Sequence, residues 1–432
     1  MRNKISLNLH TIGCRLNQSE TASLHAQLSK DTLFTIVPDD QPADVTVINT
    51  CTVTAKGDTD TRKIIARMRR LNPNVRIALI GCQAQTQKEQ LLKLPNVQWV
   101  IGNDQKAKTP DIIKETIGND FPLVISPEIE RKEFLIPVTG SFPNHTRANI
   151  KIQDGCDFFC SYCEVPYARG RSRSRNFQDI LREAKELTLM GHKELVLTGV
   201  NVGTYKSDNY GLADLISALN DIKGLMRLRL SSIEPNTFDK QILQYMIPNG
   251  KLCRFLHIPL QNADDQILKA MNRKHSYNDF ADLVMTIKKT IPEICIGTDI
   301  IVGFPNETKT HFMTAYKRLT DLPLSYFHVF SYSPRPNAKS CRLKDNVTPK
   351  AKAERSKTLR ELSVLKRKAF YQGFLQTKQT VLFEERKEGI WSGLTDHYIR
   401  VRLRSEENLH NQLKDIHIKK AEQGFLWGKF SS

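Results

Sequence analysis

Apolar and polar positions in the first third of the chain fall into two alternating patterns. Short apolar runs at 5–9, 44–48, 75–80 and 97–101 read as strands, and the stretches 21–29, 61–71, 86–94 and 110–117 read as helices. Strand and helix in strict alternation predict a parallel sheet with helices packed on it. The segment from about 122 to 149 is irregular and carries Pro122, Pro127, Pro137 and Pro143, so it reads as a linker. A second alternation follows, with strands at 148–153, 194–197, 226–230, 254–258, 294–302 and 326–330 and helices at 177–190, 212–222 and 276–290. Six such units predict an open or partial parallel barrel with its working loops at the carboxyl ends of the strands. Past residue 373 the period becomes two: Ile399, Val401 and Leu403 alternate with Arg400, Arg402 and Arg404, between strands at 380–384 and 415–419. That pattern predicts a small all-β domain with one basic face.

The expected fold class is therefore α/β. An N-terminal α/β domain spans 1–121, a linker 122–147, a central partial (β/α)6 TIM-like barrel 148–338, a basic helical connector 339–372 and a small all-β domain 373–432.

Charge adds a partner. Lys and Arg number 64 against 46 Asp and Glu, a net +18, and residues 151–372 hold +12 of it. An excess of this size points to a polyanion, nucleic acid first. No apolar run approaches the roughly 20 residues of a membrane span, and the amino terminus reads as a strand instead of a signal peptide. The expectation is a cytoplasmic protein without membrane contact. Nine cysteines in such a chain argue for metal or catalytic thiols over disulfides.

The most specific signal is Cys156-Asp-Phe-Phe-Cys160-Ser-Tyr-Cys163, directly after the first barrel strand. Three cysteines within eight residues face one cofactor, an iron–sulfur cluster or zinc, and zinc fits less well because no fourth Cys or His stands at zinc-finger spacing. Cys14, Cys51 and Cys82 each follow a predicted strand of the N-terminal sheet, so the carboxyl edge of a parallel sheet brings them together as a three-thiolate site. Cys253 and Cys295, in apolar strands, read as core packing, as do His257 and His328. No Ser-His-Asp arrangement, phosphate-binding Gly-rich loop or metal-protease motif is present in the sequence.

The three-cysteine motif, with Tyr162 before the last cysteine, resembles that of the radical S-adenosylmethionine superfamily. The resemblance implies a [4Fe-4S] cluster on Cys156, Cys160 and Cys163 whose open iron binds S-adenosylmethionine, and whose electron cleaves it to a 5′-deoxyadenosyl radical. It further implies cofactor contacts from Tyr162, Thr198, Gly199, Asn201, Ser231, Glu234 and Gly303, with 297–305 approaching the adenine through its backbone. Gly13-Cys14-Arg-Leu-Asn17, Asn49-Thr-Cys51-Thr-Val-Thr, Gly81-Cys82-Gln, Pro166-Tyr-Ala-Arg-Gly-Arg171, Ser231-Ser-Ile-Glu-Pro235 and Met271-Asn-Arg-Lys274 look like the methylthiotransferase family. They are most similar to its branch acting on threonylcarbamoyladenosine in tRNA. Gly393-Leu-Thr-Asp-His-Tyr398 is similar to the TRAM RNA-binding domain.

That family implies a second [4Fe-4S] cluster on Cys14, Cys51 and Cys82, tRNA as partner, a flavodoxin- or ferredoxin-like electron donor and a monomeric enzyme. Arg169, Arg171, Arg173 and Arg175, together with Arg400, Arg402 and Arg404, are the expected RNA contacts, because Arg grips phosphate bidentately. Three places depart from the family pattern: Asn262-Ala-Asp264, Asn306 and Pro336-Asn-Ala338. Alternatives are the isopentenyladenosine-directed relative, the relative that methylthiolates a ribosomal aspartate, and an iron–sulfur RNA-binding regulator without turnover.

Overall fold

A computed structural model describes residues 4–53, 55–136, 138–141, 145–247 and 250–431; the linker prolines Pro137 and Pro143 lie outside the described residues. The N-terminal domain runs β1 (Ile5–Thr11), α1 (Arg15–Lys30), β2 (Phe34–Ile36), β3 (Val45–Thr50), α2 (Ala55–Leu71), β4 (Arg76–Gly81), α3 (Cys82–Thr86), α4 (Lys88–Leu92), β5 (Val97–Ile101), α5 (Thr109–Thr116) and β6 (Leu123–Ile125). Its six strands pair in the order β2-β1-β3-β4-β5-β6, every pair parallel. The central β3 is buried at every position, as a strand covered by helices on both faces must be. The expected helix at 86–94 is instead two short helices, α3 and α4, with Gln87 between them. Helices α1 and α2 begin earlier than predicted, at Arg15 and Ala55. For α1 the reason is local: Cys14 sits at its N-cap without a capping side-chain bond, so no Ser, Thr or Asp signal marks the start.

The central domain runs β7 (Arg147–Lys151), β8 (Gln153–Asp154), α6 (Val165–Arg169), β9 (Arg173–Ser174), α7 (Phe177–Leu189), β10 (Glu194–Thr198), β11 (Lys206–Ser207), β12 (Tyr210–Gly211), α8 (Leu212–Asn220), β13 (Arg227–Leu230), β14 (Phe255–His257), α9 (Asp265–Ala270), α10 (Tyr277–Thr290), β15 (Cys295–Val302), α11 (Lys309–Asp321) and β16 (Tyr326–Ser331). Two parallel sheets, β13-β10-β7 and β14-β15-β16, join through bridges at Leu228–Leu252 and Ser232–His257. The result is a six-stranded partial barrel. Along each strand one set of side chains enters the helix-covered core, for example Ile150, Leu195, Leu197, Leu228, Leu256, Ile296, Ile300, Phe327 and Val329. The alternate set must then face the barrel interior. Helix α1 packs along β7, with Gln18 beside Asn149 and Glu20 bonded to Lys151.

The connector helix α12 (Pro349–Gln372) is capped by the Thr348 hydroxyl, and Ser363 bonds the backbone of Phe327 to dock it on β16. The last domain runs β17 (Lys378–Lys387), β18 (Ile390–Thr395), β19 (Arg400–Arg404), β20 (Leu413–Glu422) and β21 (Phe425–Phe430), closed as β17-β18-β19-β21-β20. The period of two holds: Ile399, Val401 and Leu403 are buried, whereas Arg404 is exposed. The turn after β18 plugs the amino-terminal mouth of the central barrel. There Arg229 donates to the carbonyls of Asp396 and Thr395, Arg227 to those of Leu394 and Thr380, and Arg254 to the Asp396 carboxylate. The Tyr398 ring packs against Phe255 at a 43° tilt, ring centres 4.8 Å apart.

Candidate active site

Strands β1, β3 and β4 are neighbours in the sheet, and a cysteine follows each at the same edge. Cys14 caps α1, Cys51 is the residue after β3, and Cys82 opens α3. Gly13 has φ +99°, and a side chain there would stand 2.8 Å from the Cys51 sulfur, so only glycine lets the two segments close. Burial pushes the Cys51 thiol up to about 12, and the nearby Cys82 and Cys14 push in the same direction. Asn103 Nδ2 lies 3.6 Å from the Cys82 sulfur and donates to the Ala168 carbonyl at 2.6 Å. The site therefore sits against the barrel domain.

The second set lies in the loop between β8 and α6. Gly155, at φ +70°, turns the chain so tightly that a Cβ would stand 2.1 Å from the Arg171 carbonyl. Cys156 Sγ accepts the Phe158 N–H at 3.5 Å, and Arg273 lies 3.5 Å from Cys160 Sγ. Burial raises the Cys156 thiol to about 11, and it raises Cys163 too, with Cys160 adding to the effect. Such thiols are neutral in the bare protein, and iron must displace their protons to bind.

Among the described residues no His, Cys, Asp or Glu group is drawn together around a single metal ion. A cluster presents a separate iron to each thiolate, so its ligands need not converge on one point. The all-sulfur donor set and the sulfur-directed N–H groups fit a cluster.

Of the expected cofactor contacts, Asn201 Oδ1 is consumed by Gly203, Glu234 and Thr237, while its Nδ2 is buried with no partner among the described residues. That orphan donor suits a carboxylate. Ser231 Oγ accepts the Gly199 N–H at 3.3 Å, and the Thr198 hydroxyl bonds back to Val196. Tyr162 packs with Ile267, Met271, Phe304 and Tyr332 beside Arg273.

Comparison with known proteins fixes the family. Residues 150–319 match the Radical SAM superfamily, and residues 6–102 match an uncharacterized protein family, UPF0004. A threonylcarbamoyladenosine tRNA methylthiotransferase of Bacillus subtilis is 34% identical over 430 residues, covering 98% of this chain and 95% of the relative. Its counterpart in Aquifex aeolicus is 37% identical over 84% of this chain and 88% of the relative. The chain belongs to the radical S-adenosylmethionine methylthiotransferases. In fold it is similar to a radical S-adenosylmethionine methyltransferase from Kitasatospora setae, with TM-score 0.59 and 14% identity over 90% of this chain and 80% of the other.

Membership makes this methylthiotransferase a transferase that uses S-adenosylmethionine and a [4Fe-4S] cluster. Cys156, Cys160 and Cys163 are the residues with the donor atoms and spacing to hold that cluster. The cluster supplies the electron for radical chemistry; the chain supplies orientation.

Several expectations are corrected. Arg169 and Arg175 are buried, Arg169 among Glu20, Asp154 and Asn17, Arg175 between Asp179 and Glu183, so neither guanidinium is free for phosphate. Arg173 bonds Asp154, and only Arg171 of the four is well exposed. A patterned run of arginines reads alike in sequence whether it faces water or acids supplied from elsewhere in the fold. Glu234 pairs with the buried Arg273. Tyr326 fills the space over Gly297, where a Cβ would stand 2.3 Å from its ring. Gly303 faces Lys352 and donates to Glu307. The expectation for the C-terminal arginines is not among those corrected: Arg400 donates to Ser392 and Arg402 lies over Phe425, 4.0 Å from the ring centre, yet neither is buried. His257 and His328 are not core residues: both face the barrel interior, and His328 is exposed there.

Four residues that sequence reasoning assigned no role lie between the two cysteine sets. Glu164, next to Cys163, accepts from Thr52, next to Cys51, and both meet Arg335, which also pairs with Asp58. No local pattern announces such a hub, since its members come from four segments.

Proposed function

We propose that this enzyme replaces the C2 hydrogen of N6-threonylcarbamoyladenosine at tRNA position 37 with a methylthio group. The observation that carries the reading is the pairing of two three-cysteine sites across one buried polar hub, one set in the barrel and one on the edge of the N-terminal sheet. Adenine C2 bears an unactivated aromatic C–H bond that acid–base chemistry at neutral pH does not readily replace, so a radical source and a sulfur source must lie close together. In this reading Cys14, Cys51 and Cys82 hold a second [4Fe-4S] cluster on the sulfur-supplying side.

The names of the full-length relatives from Bacillus subtilis, Aquifex aeolicus and Thermotoga maritima support the base. The net charge of +18 supports tRNA as partner. Arg171, Arg400, Arg402 and Arg404 remain the RNA contacts of this proposal, and the enzyme works as a cytoplasmic monomer with a flavodoxin- or ferredoxin-like donor. Among the described residues no helix is long and apolar enough to cross a membrane.

The test is nucleoside mass spectrometry of tRNA from cells lacking the protein and from complemented cells. The 2-methylthio-threonylcarbamoyl nucleoside should vanish and return. A response confined to the isopentenyl nucleoside, or no response in tRNA, would overturn the substrate.

A further inference from the structure

The interior of the barrel is polar where it opens toward the N-terminal domain. His257 Nε2 stands 3.1 Å from Asp299 Oδ2, and the His328 ring centre lies 5.9 Å from that of His257. All three project from the inward faces of β14, β15 and β16, and His328 and Phe330 are exposed within the hollow.

Arg15 stands in the first turn of α1, whose N-cap is Cys14. Its guanidinium donates to the Tyr398 hydroxyl at 2.9 Å and lies 5.6 Å from that ring. Neighbouring arginines are neutralised: Arg229 by Glu194 and Arg147 by Glu384. Arg15 meets a hydroxyl instead, and so keeps its charge available. It also adjoins Cys14.

We propose that Arg15 and the His257–Asp299–His328 group read the polar substituent on N6 of the target adenine, Arg15 taking its carboxylate and the His–Asp group its hydroxyl and ureido N–H groups. This rests on the threonylcarbamoyl reading above. The chemistry matches part by part. Arg presents a planar fork to a carboxylate, Asp only accepts and so suits O–H and N–H donors, and a neutral histidine does both. An isopentenyl group in the same hollow would strip water from Asp299, His328 and Arg15 and return no hydrogen bond. Carbon 2 is two ring bonds from the carbon bearing the substituent, so anchoring the carboxylate beside Cys14 also aims that C–H bond.

The test uses reconstituted holoenzyme and anticodon stem-loops carrying threonylcarbamoyladenosine, its methyl ester, the analogue lacking the threonine hydroxyl, or isopentenyladenosine. Arg15→Met should lower kcat/KM on the acid by roughly 10- to 100-fold, the loss of one charge-assisted pair, and leave the ester within about 3-fold. Arg15→Lys should recover part of the loss. Asp299→Asn should erase the preference for the hydroxyl-bearing substrate over the analogue lacking it. Iron and labile sulfide are assayed on each variant. If Arg15→Met loses iron, Asp299→Asn, which contacts no cysteine, decides the matter by the same hydroxyl comparison.

Equal loss on acid and ester, or an unchanged hydroxyl preference in Asp299→Asn, overturns the proposal while the substrate stands. Preference of the unmutated enzyme for isopentenyladenosine overturns the substrate reading itself.

Discussion

The hydroxyl of Thr52 donates to Glu164 Oε2 across 2.5 Å, joining the residue after Cys51 to the residue after Cys163. Arg335 lies between them and Asp58, and Asn337 bonds the other Glu164 oxygen at 2.8 Å. The two cysteine sites are thus held at a fixed separation by buried ionic contacts, in addition to the packing of the domains.

Glu164→Ala should leave Arg335 buried with half its charge partners and destabilise the protein by roughly 3 kcal/mol. Glu164→Gln, which keeps an acceptor for Thr52, should cost less. Thermal unfolding checks the size. Electron paramagnetic resonance of the reconstituted protein checks the placement: the spin–spin interaction between clusters should weaken in the alanine variant and persist in the glutamine variant.

The cysteine sets should separate in their chemistry. Cys160→Ala should abolish 5′-deoxyadenosine formation and lower iron from about eight to about four atoms per chain. Cys51→Ala should lower iron equally, yet retain S-adenosylmethionine cleavage and yield no methylthio nucleoside. Iron assay and product mass spectrometry distinguish the two.

The C-terminal β-barrel should be inseparable from the catalytic domain. Arg229 is fully buried and bonds both Glu194 and the turn carbonyls of Thr395 and Asp396. Arg229→Met strands Glu194 in the barrel, and a loss of roughly 3–5 kcal/mol is expected by denaturant titration. Truncation before residue 373 should give protein that does not fold at all.

Stability should rise with pH through the mildly acidic range because of His275. Burial, helped by the adjacent Arg273, lowers this histidine from 6.5 to about 4. Between those values the unfolded chain binds a proton that the folded chain refuses, so the contribution is complete above pH 6.5 and lost as the pH falls toward 4. The span is worth roughly 3 kcal/mol. His275→Gln should flatten that part of the melting-temperature profile, which calorimetry from pH 4 to 7 reads directly.

The sequence by itself determined the strands and singled out the candidate thiol ligands. Apolar positions placed all six barrel strands within a residue or two of their observed positions, because the side chains that enter the helix-covered core must be apolar at every second residue. The cysteines announced themselves by spacing, and three post-strand positions implied one edge for Cys14, Cys51 and Cys82. Tertiary structure decided what pairs with what. It ordered β1, β3 and β4 side by side, and it buried Arg169 and Arg175 against acids from other segments. It linked Glu164 to Thr52 across 112 residues, and it turned His257 and His328 inward instead of into the core. Local pattern reports only which neighbours along the chain share a face, whereas a charge finds its partner across the fold, where desolvation makes an unpaired one too costly to keep.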